Sequence, residues 1–405
     1  MAMKMLFSKQ SQLFSLSGIN AVLGLIIGVA CLFVSMAVMT GFTKTLKNSV
    51  ADVAGQVQVL YKAGFSLSKE DLIVRVGKVT PDLVAATRFA HIEAIIAHDG
   101  KLSGVILQGL DPSDVNKTLG LDSRLVEGVL DLSHDLNTEV YPAVIGKGIA
   151  TNYHLSSGQE FRVVLPLRSD VDPNQFRRKV IRFQVKGVLD LGKHDYNHRM
   201  ILTSLSGTQK MAEIENRFSG VLMKFKDIDE AREIAKNLRR ELGQGYVIRD
   251  WHDVDENLFE SVRIEKFVIF FVILIIVIAA AFNVASTLYI NVIARYSEIG
   301  LLKAFGVTKK NIIQLFCWQG LMMGIIGIIF GVLFGMVLCA FFSWGESHFS
   351  LIPGSIYRID RIDLSVSFID TFSISVVTLI ICFLATLAPA IRGAQLSPIE
   401  GIKNE

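Results

Sequence analysis

The stretch that decides the fold is residues 267–292, FVIFFVILIIVIAAAFNVASTLYINV, in which no side chain is charged. A bilayer core about 30 Å thick is crossed by about 20 apolar residues in an α-helix, so this stretch is long enough to span a membrane. Three more uncharged segments meet the same requirement, at residues 19–39, 315–342 and 371–391. The sequence therefore predicts four membrane-spanning helices.

The composition of the whole chain agrees with this prediction. Apolar residues make up 51% of the 405 residues, and 26 of them are Phe. The first apolar run is longer than the core of a cleaved signal peptide, about 7–15 residues, so we expect it to remain as a span. The net charge of +3 is small, and no basic run is dense enough to follow phosphates, so no nucleic-acid partner is expected.

The positions of Lys and Arg predict the orientation of the chain in the membrane. Short loops on the cytoplasmic side carry an excess of these residues. The N-terminal stub, the loop between spans two and three and the C-terminal tail are all basic, so we expect both termini in the cytoplasm. The basic residues are Lys4 and Lys9, then Arg295, Lys303, Lys309 and Lys310, and last Arg392 and Lys403.

These assignments divide the chain into seven segments. They are a cytoplasmic stub with the first span (1–42), an outer domain (43–266), the second span (267–293), a cytoplasmic loop (294–314), the third span (315–342), a short outer loop (343–370), and the fourth span with a cytoplasmic tail (371–405).

The outer domain shows the pattern of a mixed α/β fold. Alternating, β-branched runs predict strands at residues 55–61, 104–109, 143–145, 161–165, 180–185, 199–202, 221–225 and 246–248. Apolar positions between residues 228 and 242 follow one helical face, so residues 221–248 form a predicted β-α-β unit. All four cysteines lie in the spans, and no disulfide is expected in this domain. The predicted fold class is an α-helical membrane protein with four transmembrane helices and a mixed α/β extracytoplasmic domain inserted between helices 1 and 2.

Two short motifs of the outer domain imitate a nucleotide site. Residues 155–159, LSSGQ, resemble an ABC signature peptide, and residues 187–194, GVLDLGKH, fit a P-loop until His194 replaces the Ser or Thr that would hold Mg²⁺. The order of the two motifs is reversed and both lie outside the cytoplasm, so we interpret them as glycine turns. His194 and His198 are four residues apart, but Gly192 and Asp195 nearby favour a turn with solvated histidines over a metal site. No catalytic residue and no metal ligand is predicted.

The cytoplasmic loop predicts a short amphipathic helix. Ile299, Leu302 and Phe305 lie on one side of it, Gly306 is suited to end it, and Thr308 can cap the next helix. Such a helix either docks a cytoplasmic partner or lies on the lipid headgroups.

Small and polar residues inside the spans predict close helix packing. Glycines spaced by four residues allow another helix to approach closely. They are Gly24 and Gly28 in the first span and Gly320, Gly324, Gly327, Gly331 and Gly335 in the third. Asn20 and Asn283 are expected to form hydrogen bonds across helices.

The order of one span, a large outer domain and three spans resembles the MacB/FtsX-type ABC permeases, and within them the LolC/LolE subunits of lipoprotein-releasing transporters. The motifs that carry the resemblance are MTGF (39–42), VILQGLDP (105–112), IGKG (145–148), FNVASTL (282–288), SEIGLLKAFG (297–306), LIP (351–353), YRID (357–360), PAIR (389–392) and SPIE (397–400).

The resemblance implies a multi-pass protein of the bacterial inner membrane with its large domain in the periplasm. It implies a LolD-like cytoplasmic ATPase dimer that holds the ATP and Mg²⁺, a second permease subunit that is the same or homologous, a lipoprotein substrate in contact with membrane lipids, and a LolA-like periplasmic carrier. No cofactor is expected on this chain itself.

The resemblance also implies three groups of site residues. The coupling helix would present Glu298, Ile299, Leu302, Lys303 and Phe305 to the ATPase. Acyl chains would enter between the first two spans, at Phe33, Met36, Met39, Phe267, Phe270 and Phe271. A hairpin for the carrier would contain Pro166, Asp172, Pro173, Phe176 and Arg177.

Two other functions share this architecture. A MacB-type subunit would expel another amphiphile, and an FtsX-type permease would transmit ATPase strokes to a periplasmic hydrolase without transport. The resemblance leaves open whether the chain is LolC-like, LolE-like or a combined form.

Overall fold

In a computed structural model, the chain is described at residues 16–62, 68–134, 138–168, 176–214, 217–349 and 364–395. These residues contain four helices long and apolar enough to cross a membrane, which confirms the predicted number of spans. They are α1 (Leu16–Ala54), α9 (Glu256–Ala294), α11 (Lys309–Phe349) and α12 (Phe368–Gln395). Each is longer than the apolar run that predicted it. The remaining helix of the membrane part is α10 (Tyr296–Ala304).

The described residues form two compact units. A membrane unit comprises residues 16–42, 260–349 and 364–395, and an outer unit comprises the described part of Thr43–Phe259. The core of the membrane unit is built from side chains of all four long helices, among them Leu25, Val277, Ile328 and Cys382.

Glycine contacts hold α11 against two neighbouring helices. A Cβ built on Gly327, Gly331 or Gly335 would lie 2.4–2.7 Å from the side chains of Leu25, Val29 and Phe33 of α1, respectively. A Cβ on Gly320 would lie 2.0 Å from Thr386 of α12, and one on Gly324 would lie 3.3 Å from Cys382. The prediction that glycines allow close helix approach is therefore confirmed for these five glycines of α11, whereas Gly24 and Gly28 of α1 have their nearest neighbours at the ordinary distances of 3.9 and 3.6 Å.

The expectation for the two span asparagines is wrong in this single chain. Asn20 and Asn283 are both exposed, and no hydrogen bond from either amide to another helix is found within the described residues. Asn283 lies on the face of α9 near Gly24, with its Nδ2 atom 3.9 Å from a Cβ built on that glycine.

The outer unit contains ten strands and seven short helices within its described residues. The strands are β1 (Val57–Tyr61), β2 (Leu83–His98), β3 (Lys101–Leu110), β4 (Leu125–Gly128), β5 (Val140–Gly146), β6 (Glu160–Arg168), β7 (Phe176–Leu189), β8 (Met200–Ser204), β9 (Gly220–Phe225) and β10 (Tyr246–Asp250). The helices are α2 (Lys69–Val79), α3 (Val115–Leu119), α4 (Lys147–Tyr153), α5 (His194–Arg199), α6 (Leu205–Ala212), α7 (Ala231–Leu242) and α8 (Trp251–Val254).

One sheet contains all ten strands, in the order β10-β1-β9-β2-β3-β8-β5-β7-β4, with β6 paired to both β2 and β7. The two pairings of β6 close β2, β3, β8, β5, β7 and β6 into a ring. Pairs β3–β8 and β5–β7 are parallel, and the other described pairs are antiparallel. Closure of the ring leaves one apolar interior, which contains Ile96, Val163, Phe161 and Phe183.

A second core lies where α2 and α7 cover strands β1, β9 and β10. Leu72, Val76, Ile234 and Leu238 pack there against Val59 of β1. The predicted β-α-β unit is present as β9, α7 and β10, but β1 lies between its two strands and pairs with both. The mixed α/β domain between the first and second spans is therefore confirmed.

Candidate functional site

The helix α10 of the predicted cytoplasmic loop is fastened to the membrane helices by its buried side. Ile299 is 4% exposed and packs with Val292, Phe316 and Ala390 from three of the long helices. Glu298 points outward and forms an ion pair of 3.4 Å with Arg295. A helix held in this way moves with the helices beneath it, because its apolar anchor belongs to their core.

The exposed apolar residues of α10 differ partly from the predicted set. Leu301 is 53% exposed and Phe305 is 80% exposed, whereas Leu302 is half-buried. Phe305 lies at the C-cap, where its N–H donates to the Leu301 carbonyl at 3.0 Å. The sequence pattern missed Leu301 because successive residues of an α-helix are about 100° apart around its axis. Leu301 therefore lies outside the stripe formed by Ile299, Leu302 and Phe305.

Glycine and threonine end α10 and begin the next helix as predicted. Gly306 has φ = 88°, the left-handed conformation that suits glycine at a helix C-terminus. The N–H of Val307 then donates to the Leu302 carbonyl at 3.1 Å. Thr308 precedes α11, and its hydroxyl oxygen accepts the N–H of Asn311 at 3.4 Å. The loop therefore has a defined shape on both sides of Phe305.

Lys303 faces its own chain instead of the exposed side of α10. Its ammonium donates to the Ala394 carbonyl near the end of α12 at 2.8 Å. Burial, with a smaller contribution from nearby Lys309, lowers the pKa of Lys303 from its ordinary value. We therefore place this residue as a link between α10 and α12, with Glu298, Leu301 and Phe305 left on the accessible surface.

The predicted lipid-contacting residues fall into two groups. Phe33 is 2% exposed and packs on Gly335 of α11, while Met36 and Phe270 lie half-buried against the same core. Phe267 and Phe271 are exposed, with ring centroids 4.6 Å apart. Met39, the sixth predicted residue, is half-buried at the outer end of the uncharged run of α1.

The predicted carrier hairpin lies on the antiparallel pair β6–β7. Pro166 is opposite Arg178 and Leu167 is opposite Arg177, and Phe176 begins β7. Arg177 and Lys179 both form ion pairs with Glu213, at 2.6 and 2.9 Å, and the hydrogen bond from Lys179 lowers the pKa of that carboxyl below its ordinary value. Asp172 and Pro173 lie outside the described residues.

A solvent-facing surface of β2, β6 and β7 adds residues that the sequence did not single out. Ile95, Val164 and Val180 form one row across the three strands, and Ile95 and Val180 are 40% and 59% exposed. Arg162 and Arg182 are opposite each other in the next row. We call these five residues the basic sheet face.

Next to the basic sheet face is an open cleft of about 420 Å³ lined by Ala97, His98, Asp99, Glu160, Phe161, Arg162 and Arg182. An apolar row beside two arginines can bind a protein surface that carries apolar and acidic side chains. Alternation along strands could have located this face, because Val164 and Val180 are apolar positions on the side opposite the core.

The P-loop-like segment is a packing element of the outer unit. Gly192 has φ = 76°, and a Cβ on it would lie 2.2 Å from the Ser49 hydroxyl oxygen. Lys193 is 4% exposed and its ammonium pairs with Asp255 at 2.5 Å, where a P-loop lysine would face phosphate. The LSSGQ segment forms the turn before β6, in which the Gly158 N–H donates to the Val185 carbonyl at 2.7 Å.

The prediction for the two nearby histidines is wrong in two respects. They lie in the helix α5 instead of a turn, and both are half-buried rather than solvated. The helix is stabilised by Asn197, which is buried and whose side-chain oxygen accepts the Leu191 N–H at 2.7 Å. The Nδ1 atom of His198 is 2.9 Å from the His194 carbonyl oxygen. The Nδ1 nitrogen of His198 is therefore engaged by a contact within the helix itself.

Asp250, His252 and Asp253 bring potential metal-binding atoms within 4.8 Å of one another. Their arrangement is a helix capping box, in which the Asp250 carboxylate accepts the N–H groups of the other two residues. Asp253 is also paired with Arg239. Capping of the helix α8 and the ion pair with Arg239 explain why these three side chains lie close together.

Two family models match the sequence of the chain. The MacB-like periplasmic core domain matches residues 19–241, which include α1 and most of the outer unit. The FtsX-like permease C-terminal model matches residues 270–398, which include most of α9 and all of α10, α11 and α12.

Several curated proteins are similar along nearly the full length. The chain is 26% identical over 407 residues to the lipoprotein-releasing system transmembrane protein LolC of Xylella fastidiosa (strain 9a5c), covering 98% of this chain and 96% of the relative. It is 25% identical over 405 residues to LolC of Neisseria meningitidis serogroup B, with the same coverage. It is 22% identical over 391 residues to LolE of Haemophilus influenzae, covering 93% and 92%.

Among solved structures, the periplasmic region of MacB from Actinobacillus actinomycetemcomitans matches with a TM-score of 0.31 and 14% identity. That match covers 50% of this chain and 91% of the other.

Proposed function

The chain belongs to the family that carries the MacB-like periplasmic core domain, as a LolC/LolE-type permease, and we propose that it extracts outer-membrane-directed lipoproteins from the inner membrane. In this proposal it passes them to a periplasmic carrier. The observation that carries the proposal is the similarity to LolC proteins over 98% of the chain, through both membrane and outer units. The chain is an inner-membrane protein with a periplasmic domain, and we propose that both termini face the cytoplasm.

The proposed reaction requires an energy source outside this chain. Each CH₂ of an acyl chain contributes about 0.8 kcal/mol to membrane binding, so removing a multiply acylated protein from a bilayer is strongly uphill. ABC permeases work with an ATPase partner, and we assign ATP and Mg²⁺ to a LolD-like dimer in the cytoplasm. A second permease subunit, the same or homologous, would complete the transporter.

The helix α10 is the proposed contact with that ATPase. Its accessible side carries Glu298, Leu301 and Phe305, and its buried side is anchored through Ile299 among the membrane helices. A partner that pulls or pushes on the exposed side therefore acts on α9, α11 and α12 together. Lys303 would act within this chain, because its ammonium is bound to α12.

The proposed path of the acyl chains lies at α1 and α9. Met36, Met39 and Phe270 are half-buried there, and Phe267 and Phe271 expose their rings. These side chains are apolar and flexible enough to accommodate chains of different length. Phe33 is buried next to these side chains, where it packs on Gly335 of α11.

The basic sheet face and the adjoining hairpin are the proposed docking surface for a LolA-like carrier. Arg162 and Arg182 flank an exposed apolar row on a rigid three-strand ladder, which is a suitable support for a protein contact. The carrier predicted to fit carries carboxylates beside an apolar patch.

Depletion of the protein followed by fractionation of outer-membrane lipoproteins tests the proposal as a whole. We expect lipoproteins to accumulate in the inner membrane, and re-expression to restore their sorting. Correct sorting after depletion would exclude lipoprotein release and favour export of another amphiphile or transmembrane signalling.

Carrier docking is tested separately by replacing Arg162 or Arg182 with Glu and measuring binding of the carrier to the reconstituted complex. Removing one charged interface partner typically costs about 2 kcal/mol or more, so we expect binding to weaken by roughly 30-fold or more. Arg75→Glu, an exposed reversal on α2 of the same domain, is the matched control. Equal binding by all three variants would exclude the basic sheet face.

A further inference from the structure

Three polar side chains from three membrane helices meet where the uncharged runs of these helices end on the outer side. The Thr40 hydroxyl of α1 donates to the Asp370 carboxylate of α12 at 2.6 Å. The Lys266 ammonium of α9 donates to the Thr40 oxygen at 3.1 Å and lies 3.5 Å from the same carboxylate. We call these residues the outer polar cluster. Each side chain in it contacts the other two, so the cluster joins α1, α9 and α12.

The ordinary roles of these residue types do not explain the arrangement. A lysine at the end of a span normally extends toward water, and an aspartate in the first turn of a helix normally stabilises that turn. Here the side chains of Lys266 and Asp370 are only 32% and 20% exposed. Both are turned toward α1, where Thr40 is the common partner.

The position of the cluster is defined by the apolar residues beside it. Thr40 follows Met39 directly, and Lys266 directly precedes Phe267. The cluster therefore lies at the outer end of the apolar part of the seam between α1 and α9. A backbone hydrogen bond of 3.3 Å, from the Ser365 N–H to the Ala37 carbonyl, fastens the segment before α12 to the same part of α1.

The chemistry of the cluster is suited to reversible closure. Charge-assisted hydrogen bonds are strong while water is excluded and exchange readily once water enters. Opening a polar contact at the membrane surface also exposes no large apolar area. A permanent contact would be built more simply from apolar side chains, which are often at least as stable as a buried ion pair.

We propose that Thr40, Lys266 and Asp370 form a latch that closes the periplasmic end of the seam between α1 and α9 and opens when ATP drives release. The proposal rests on the proposed function in one respect, namely that the acyl chains occupy this seam. With the latch closed, α1 cannot separate from α9 and α12 at the outer ends of their uncharged runs. With it open, the chains have a path from the seam to the carrier.

Reversible crosslinking tests whether the latch must open. Thr40 and Asp370 are changed to Cys in a background that lacks the four native cysteines, and a short bifunctional methanethiosulfonate joins them. We expect the crosslinked complex to keep ATP hydrolysis, to lose lipoprotein transfer, and to return to its transfer rate before crosslinking when it is reduced. The single Thr40→Cys variant with the same reagent is the control. Unchanged transfer after crosslinking would overturn the latch.

The same cysteine pair gives a test that does not depend on the cargo. We expect the rate of crosslinking to fall severalfold when the ATPase is trapped with vanadate, because the ends of α1 and α12 then move apart. An equal rate in both states would overturn the latch. If instead the unmodified complex fails to transfer lipoprotein, the proposed function is wrong, whereas the crosslinking result still decides the latch.

Charge exchange tests whether Lys266 and Asp370 act through their opposite charges. Lys266→Asp and Asp370→Lys should each reduce transfer by about tenfold, the scale of losing one charged hydrogen bond. The double variant should recover most of it, because it restores the pair in reverse. The exposed pair Lys226 and Asp82 of the outer unit is the matched control, and exchanging it should leave transfer unchanged. If the double variant transfers lipoprotein as poorly as the single variants, Lys266 and Asp370 do not act through their opposite charges.

Discussion

Gly331→Ala is the substitution for which the membrane packing gives the sharpest expectation. A Cβ at this position of α11 would lie 2.7 Å from the Cβ of Val29 and 3.1 Å from the carbonyl oxygen of Ile26. Both atoms are fixed to the backbone of α1, so neither can rotate away. Ordinary contact begins at 3.4 Å, and the two helices must therefore separate by about 0.7 Å.

The magnitude follows from two opposing effects. Overpacking a well-packed contact costs about 1–3 kcal/mol. Alanine gains up to about 1 kcal/mol over glycine through its better helix propensity. We expect a net loss of about 1–2 kcal/mol in the free energy of unfolding, which is roughly a 5- to 30-fold change in the ratio of folded to unfolded protein.

The assay is unfolding of the purified, detergent-solubilised protein by increasing SDS, followed by tryptophan fluorescence. Gly24→Ala is the matched control, because the nearest atom to its Cβ is the Asn283 Nδ2 at 3.9 Å. The control should unfold at or above the wild-type midpoint. A Gly331→Ala protein as stable as Gly24→Ala would refute the close packing of α1 on α11.

Three further predictions concern charged side chains. Glu298→Arg should abolish stimulation of the ATPase by substrate without changing the amount of assembled complex, and full stimulation would show that α10 is not the coupling element. Lys193→Met should destabilise the outer domain by about 2 kcal/mol, the scale of a charged hydrogen bond, because Asp255 loses its partner; thermal unfolding of the intact protein measures this, and an unchanged midpoint contradicts it. The depressed pKa of Glu213 means that its ion pair with Lys179 stabilises the fold above the ordinary value of 4.5, and that this contribution is lost as the pH falls through the lowered pKa. Glu213→Gln should therefore remove part of the acid sensitivity of the melting temperature below about pH 4.5, and identical pH profiles would count against the ion pair.

The sequence predicted the spans and most strands because their signals are local. Apolar runs define the helices of the membrane unit, and alternation defines strands such as β9. The longest strand, β2, was missed. Five of its 16 residues are alanine, which favours helix, and β2 forms because β3, β6 and β9 all pair with it.

The outer polar cluster was beyond the sequence for a related reason. Thr40, Lys266 and Asp370 each stand immediately next to an uncharged run, and each by itself is an ordinary residue for a helix end at a membrane surface. Their contacts join residues that are 104 to 330 positions apart in the chain. Only the packing of α1 against α9 and α12 brings them together. The α5 helix was missed in the same way, because the contacts of Asn197 with Leu191 and Asp190 override the turn-favouring composition.

The neighbours of α1 are held by two kinds of contact, and the difference bears on how this helix can move. Against α11 it interlocks with three glycines at distances that leave no room for a methyl group. Against α9 the contact is looser, since a Cβ on Gly28 would find Val277 at an ordinary 3.6 Å, and the outer polar cluster adds a fastening that water can open. In a bilayer, lipid tails compete for apolar contacts, so close packing and polar bonds determine which helices stay together. We therefore expect α1 and α11 to stay packed together when the latch opens, while only the outer part of the seam between α1 and α9 widens and α9, α11 and α12 stay joined near α10.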